Sequence, residues 1–491
     1  WSTPRMAHEF QMVVLAGGSG DRLHPLCENV PKPLLPIKNR PMLYYQLDSV
    51  EQAGFRQVIV ATLAKWTEEI KKAVEHWKGQ SKRKLEVVVR AGPDEGDTAD
   101  AIRACADVLF KDFMVLGCDS ITSIPISDIL EHHRHCKNVT CTVVCKQTVP
   151  KEKKEGMFKN ELQATEYTGY DQRTGRLLYF ASSDGGLLKD DAVKFGKHFL
   201  LARSNMTLTT ALQDQHIYVF KYWIVDFLKK KPAISSLKHE LIPILVHEQF
   251  KSQHETKTWG NLGYKIPSPS FGMTVDSTNL PEDSAEFVDE FMRDMRLICR
   301  ADTTDEDLLR CFVMVVPLEN QRKPGVYITR ANYLSTYYEL NKDMLKQKDA
   351  IPPKPENLPP RVQIGDDCVI GGGFECGECV TIKSSIMGEG CKIGSNVRIA
   401  NSIILDGVSI GDQVKITNCI ISSSMSQRTT IGNDCTMKDC QVEAKYKMED
   451  GTEWQDEKLI NDNASAFGSQ SSCPSDSDQS EDDGESGEDD S

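Results

Sequence analysis

Residues 12–36 read MVVLAGGSGDRLHPLCENVPKPLLP: an apolar run, three glycines around Ser19, then two cations, Arg22 and Lys32. Glycines let consecutive backbone N–H groups turn toward a single anion, and the two side chains add positive charge suited to phosphates. Gly17, Gly18, Gly20, Arg22 and Lys32 are therefore the candidate nucleotide-binding residues. Phosphate chemistry on a nucleotide needs a divalent cation and carboxylates to hold it. Asp119, two residues beyond Gly117, is the one candidate for that role, and it reads equally well as a strand-end turn residue. No metal is expected to be held. Cys376-Gly377-Glu378-Cys379 has metal-ligand spacing but is a single pair, so a core thiol is the preferred reading. His132, His133 and His135 fall beside Glu131 and Arg134, which reads as the solvated face of a polar helix.

The elements that must position the glycine loop alternate. Apolar runs at 12–15, 58–60, 85–89 and 113–116 are separated by amphipathic stretches at 44–53, 68–77 and 98–109. Strand, helix, strand in succession predicts a parallel sheet with helices on both faces, with ligands at the carboxyl ends of the strands. Residues 8–250 form this unit. Residues 251–308 become polar and Pro-rich and read as a variable, partly disordered insertion. Residues 309–350 carry short strands and a polar helix over 330–348 that connect to a Pro-rich joint at 351–360.

From Ile364 an apolar residue returns at every sixth position: Ile364, Ile370, Cys376 and Ile382 share one register, and Ile393, Ile399 and Leu405 another. Glycine often follows. This is the pattern of a parallel β-helix, each flat face sending one side chain inward, and it is assigned to 361–446. Such a coil offers flanks for assembly.

The chain has 491 residues and a net charge of −14, of which nine come from the acids between Asp476 and Asp490, leaving −5 for the rest. Residues 447–491 read as a disordered acidic tail in which Ser475, Ser480 and Ser486 each have an acid three residues on. A plain solubilising segment is the preferred reading. No basic block points to direct nucleic-acid binding, and no apolar stretch is long enough for a membrane span. Residues 1–5, ahead of Met6, are set aside. Nothing near the start resembles a secretion signal, so the sixteen cysteines are expected in a reducing, cytosolic compartment.

Gly17, Gly18, Gly20, Arg22, Leu23, Pro25, Leu26, Pro31, Lys32 and Pro33 resemble the signature of the nucleotidyltransferases that make nucleotide sugars. The resemblance implies an α/β fold, a Rossmann-like domain with a mixed, mostly parallel sheet, followed by a left-handed parallel β-helix of hexapeptide repeats. In that family the arginine and lysine stabilise triphosphate and leaving pyrophosphate, and two carboxylates hold magnesium. Here Cys118 is interposed before Asp119, and the nearest match to the second carboxylate's string is Trp259-Gly260-Asn261-Leu262-Gly263, with an amide for the acid. Thr168-Gly169-Tyr170-Asp171 and Gln215-His216-Ile217-Tyr218 stand where sugar-binding strings belong. A nucleotide is expected to be held idly, with no cofactor required and no catalytic residue.

These departures, together with 169–178, 216–228 and Ser236-Leu237-Lys238-His239-Glu240-Leu241-Ile242-Pro243, resemble the gamma-subunit family of eukaryotic translation initiation factor 2B. The resemblance implies a non-catalytic subunit of a guanine-nucleotide exchange factor. Its direct partner would be the epsilon subunit, within a complex holding alpha, beta and delta subunits and engaging initiation factor 2. The alternatives are an active mannose-1-phosphate guanylyltransferase or related pyrophosphorylase, or the non-catalytic regulatory subunit of one.

Overall fold

The computed structural model describes residues 8–460, apart from a few single positions and, chiefly, 150–155, most of 186–204, 250–308, 319–326, 347–357 and 424–427. The insertion, the Trp259 string, most of the Pro-rich joint, residues 1–5 and the acidic serines lie outside the described residues.

Seven strands form the first sheet: β1 (Phe10–Ala16), β2 (Gln57–Leu63), β3 (Glu86–Gly92), β4 (Asp112–Gly117), β5 (Cys141–Gln147), β6 (Leu212–Phe220) and β7 (Cys311–Val316). Their order is β7-β5-β6-β4-β1-β2-β3. β6 pairs antiparallel with both neighbours and every other pairing is parallel, so the sheet is mixed but mostly parallel. Its residues point alternately to two apolar layers. Val13 and Leu15 join one layer with helix α3 (Thr98–Ala104) and helix α5 (Trp223–Lys230). Met12 and Val14 join the other, with α1 (Met42–Gln52), α2 (Thr67–Gln80) and α4 (Ile126–His135). A strand covered on both faces must be almost wholly apolar, as β1 is from Met12 to Ala16.

Two expectations change here. β7 falls within the stretch read as a connector, yet it runs parallel to β5 from Cys311 to Val316 as a member of the main sheet. His133 is 1% exposed, its Nδ1 2.8 Å from the Thr142 hydroxyl, so that side of α4 packs on the sheet and is not a solvated face. Among the described residues no helix is long and apolar enough to cross a membrane.

The second unit is a coil of three parallel sheets. Face one stacks Gln363–Ile364, Thr381–Lys383, Arg398–Ala400, Lys415–Thr417, Thr436–Lys438 and Glu453–Gln455. Face two stacks Val369–Ile370, Ile386–Met387, Ile403–Ile404, Ile420–Ile421, Gln441–Val442 and Lys458–Leu459, and face three runs from Glu375–Cys376 to Thr430–Ile431. One residue per face points inward: Ile382, Ile399, Ile416 and Met437 pair in register on face one. Cys376 packs against this interior and Cys379 turns a corner at φ 59°. The coil continues past 446 to Leu459: Trp454 stacks on Met437 and Leu459 on Val442 in the inward register, within a stretch that is otherwise polar.

Face two is apolar on both sides over its first four rungs, before Gln441 and Lys458 end its outward column. Its outward Ile403 and Ile420 pack against Tyr337 and Tyr338 of helix α6 (Leu334–Lys346), together with Leu23 and Leu26 of the glycine-loop segment. Val369 and Ile386 cover Leu345. The stretch expected to be a polar helix over 330–348 is thus a shorter helix with one side buried between the two units. Tyr338 donates its hydroxyl to the Asn401 carbonyl at 2.5 Å, and Asn39 Nδ2 to the Met387 carbonyl at 2.6 Å.

Candidate functional site

A cleft of about 660 Å³ opens at the carboxyl ends of β1 to β4, lined by the glycine loop, Lys32, Asp119, His216, Lys238 and Arg330 among others. Gly17, Gly18 and Gly20 all border it, as the loop's position after β1 requires. Gly20 has φ 82°, and a Cβ there would stand 2.6 Å from the Cys27 side chain, so only glycine fits. Burial pushes the thiol of Cys118, the residue interposed before Asp119, up to about 12, so it is an inert spacer.

The two cations of the glycine-loop segment are both engaged by carboxylates. Arg22 Nη2 lies 2.6 Å from Asp184 Oδ2, and its guanidinium sits over the Tyr333 ring. Lys32 starts a single 3-10 turn between Pro31 and Leu35 that aims its side chain inward, where it is 7% exposed. Its Nζ donates to Asp119 Oδ2 at 2.6 Å and to Asn332 Oδ1 at 3.0 Å.

Arg330 completes the cluster. It ends the short strand β8 (Ile328–Arg330), which pairs antiparallel with Ser120–Thr122 directly after Asp119. Its Nε donates to Asp119 Oδ2 at 3.0 Å, its Nη1 is 3.6 Å from Asp214 Oδ2, and its Nη2 donates to His216 Nδ1 at 3.2 Å. His216 Nδ1 lies between this guanidinium and Asp119 Oδ1, 3.4 Å away, and burial, reinforced by Arg330, lowers its pKa. Burial by itself would raise the Asp119 carboxyl; Arg330 and Lys32 outweigh it and hold the group well below the usual carboxylate range. Asp214 also accepts the Tyr218 hydroxyl at 2.7 Å. Glu166 pairs with Lys238 at 2.5 Å and accepts the Asp214 backbone N–H. Three buried carboxylates thus face three buried cations.

This donor set does not fit the magnesium that the nucleotidyltransferase fold implies. A hard cation needs carboxylate oxygens directed at it, free of other positive charge. Here Oδ2 of Asp119 is shared by an ammonium and a guanidinium, and its Oδ1 faces His216 Nδ1 at 3.4 Å.

The structure brings together Lys32 and Asp119 from the sequence-derived set, keeps the three glycines on the rim and turns Arg22 to Asp184. Of the two strings in sugar-site positions, His216 alone lines the cleft. Sequence reasoning missed Arg330, Asp214, Glu166 and Lys238 as site residues. The one available signal for Arg330 was a lone cation at the end of a strand-like run that otherwise reads Val-Tyr-Ile-Thr.

Two family descriptions match: "Nucleotidyl transferase" over residues 11–162 and "GlmU-like, C-terminal hexapeptide" over 359–451. Fold and site therefore define a nucleotidyl transferase domain joined to a left-handed parallel β-helix. The chain is 30% identical to the translation initiation factor eIF2B subunit gamma of Schizosaccharomyces pombe, over 74% of this chain and 72% of that one. It is 27% identical to the subunit of the same name from Dictyostelium discoideum, over 77% and 87%. The mannose-1-phosphate guanyltransferase of Saccharomyces cerevisiae is also similar, 27% identical over 48% of this chain and 56% of that one. The chain belongs to the family of translation initiation factor eIF2B gamma subunits.

Proposed function

We propose that this chain is a non-catalytic subunit of the guanine-nucleotide exchange factor for translation initiation factor 2, acting in the cytosol as a scaffold and binding surface. In this reading epsilon is its direct partner, alpha, beta and delta complete the complex, and epsilon releases GDP from initiation factor 2. The observation that carries the loss of catalysis is the Lys32–Asp119–Arg330 cluster. Nucleotidyl transfer collides two anions, and a site whose buried carboxylate beside the loop, Asp119, is already neutralised by Lys32 and Arg330 is poorly suited to hold the offsetting cation. Nucleotide binding at Gly17, Gly18 and Gly20 requires no cofactor, and Arg22 and Lys32 would have to leave Asp184 and Asp119 to meet the phosphates. Affinity purification of the full chain from cytosol should recover the four other subunits and initiation factor 2. Recovery of none of them would end this reading.

The second reading, an active mannose-1-phosphate guanylyltransferase or the regulatory subunit of one, draws on the intact glycine loop and the partial likeness to the yeast enzyme. Release of pyrophosphate on incubation with GTP, mannose 1-phosphate and magnesium would select the active enzyme. Calorimetric binding of GDP-mannose without turnover would select the regulatory form.

A further inference from the structure

The three faces of the coil treat charge differently. Face two is apolar and covered by α6, as described above. On face three the exposed Lys392 is matched by Glu375 on the adjacent coil, 2.8 Å away. Face one carries four exposed cations, Lys383, Arg398, Lys415 and Lys438, and among the described residues none of them makes an ion pair.

The register makes this arrangement costly. Arg398 pairs with Lys415 on the next coil, so two like charges stack about 4.8 Å apart, a juxtaposition that destabilises a sheet unless an anion meets it. Lys383 and Lys438 share the neighbouring column, separated by Ala400 and Thr417. The nearest acids with a partner are turned to the corners: Asp412 accepts the Ser395 N–H at 2.6 Å, and Asp439 accepts Asn418 Nδ2 at 3.0 Å. On a chain that is acidic in sum, a face carrying four unpaired cations and a single acid, Glu453 on its last rung, is open to an external anion.

The chain itself supplies a matching anion. Lys458 is the last basic residue, and nine acids follow between Asp476 and Asp490. The final coil adds Glu453–Gln455 to face one, one rung beyond Lys438. Residues 461–475 can span roughly 50 Å when extended, whereas the basic face covers only four rungs, about 15 Å. Tethering at that distance gives a local concentration on the order of millimolar, enough to favour a weak electrostatic contact.

We propose that the acidic segment 476–490 of this chain docks on face one of its own β-helix, across Lys383, Arg398, Lys415 and Lys438. Docking there shields the face from acidic partners. Phosphorylation of Ser475, Ser480 or Ser486 adds charge of the same sign and tightens the contact.

Zero-length carbodiimide cross-linking of the full chain, read by mass spectrometry, tests this. Cross-links should join acids of 476–490 to Lys383, Lys415 and Lys438, fall several-fold in 0.5 M NaCl, and fall again in Arg398→Glu, which reverses one charge of the face without removing a cross-linkable amine. The four side chains are exposed, and an unchanged Tm together with unchanged cross-links elsewhere would show that this variant is folded. An equal mixture of unlabelled and 15N-labelled chains separates copies: cross-links of one isotope only support the proposal, and mixed-isotope cross-links overturn it in favour of a second copy. Tail cross-links spread over other lysines, or absent altogether, also overturn it. So does tight binding of a labelled single-stranded RNA to face one without tail cross-links, which would make the face a nucleic-acid surface.

Discussion

The cleft and face one of the coil hold similar numbers of cations and use them in opposite ways. In the cleft, Lys32, Arg330 and Lys238 are buried and each faces a carboxylate of the same domain. On the coil, Lys383, Arg398, Lys415 and Lys438 stand in solvent with their charge unspent. A buried charge must be met where it stands, because desolvation costs several kcal/mol per ion; an exposed one can wait for an outside partner at little cost. The difference teaches where the working surface of this protein lies. In the cleft the buried cations are matched by carboxylates beside them, while face one of the repeat domain leaves its cations without an ion pair among the described residues.

The sharpest break in that contrast comes from Arg330. Changing Arg330→Met leaves Asp119 and Asp214 facing each other without their shared cation, and removing one side of a buried pair costs about 3–5 kcal/mol. Urea titration should show a loss of that size, far above anything obtainable on face one. A parallel measurement checks the metal argument: Mn2+ followed by electron paramagnetic resonance should show no binding to the wild-type chain that Asp119→Asn abolishes. Binding that depends on Asp119 would mean the carboxylate is not neutralised by its neighbours.

A smaller effect is expected at the rim. Gly20→Ala must adopt φ 82° and push its Cβ into Cys27, at a cost of about 2 kcal/mol. Because the clash is with Cys27 and not with a ligand, the loss should be the same with and without GTP when read by thermal unfolding. A loss seen only with nucleotide present would make the loop a working phosphate cradle and weaken the contrast.

His133 gives a titratable marker of the enclosed sheet domain. Burial, with help from Lys221 and His132, lowers its pKa to about 3. Above about pH 6.5 neither folded nor unfolded chain protonates it, so it contributes no pH dependence there. Below pH 6.5 the unfolded chain takes up a proton that the folded chain refuses, and stability falls, by about 1 kcal/mol between pH 6.5 and 5.5, until the folded group titrates near 3. His133→Gln keeps a group able to meet the Thr142 hydroxyl and should flatten part of that slope in urea midpoints measured across the range. Asp119 behaves differently: its depressed pKa gives stability that is present above the ordinary carboxylate range, near pH 4, and is lost progressively as pH falls from there toward the folded value.

The fold was readable from the sequence wherever the signal is local. β1 with its glycine loop is one contiguous string, and the coil announces itself at every sixth residue. The assignments that failed depend on contacts distant in the chain. Arg330 meets Asp119 across 211 positions. No pattern around either residue says that a guanidinium will stand opposite the carboxylate. His133 looked solvated because its neighbours are polar, yet the helix turn places it against β5. β7 reads as a strand from its own residues, but its place beside β5 is set by a crossover whose path no local signal gives. The coil's end was set short because the chain from Glu443 to Lys458 is mostly polar, although Trp454 and Leu459 keep the inward register.

The smallest expected effect sharpens the comparison within the coil itself. Lys392 and Glu375 on face three are both more than half exposed and pair at 2.8 Å. An exposed pair of this kind is worth about 0.5 kcal/mol or less, since water screens the attraction and two long side chains must be held still. Lys392→Ala should therefore shift the urea midpoint barely beyond error, and Glu375→Ala should match it. Arg398→Ala on face one should move stability in the other direction, slightly upward, because it relieves the stacked repulsion with Lys415. The gain should appear in a chain ending at residue 469 and vanish when 476–490 is present to neutralise the face, so the difference between the two Arg398→Ala effects reads the tail's contribution directly.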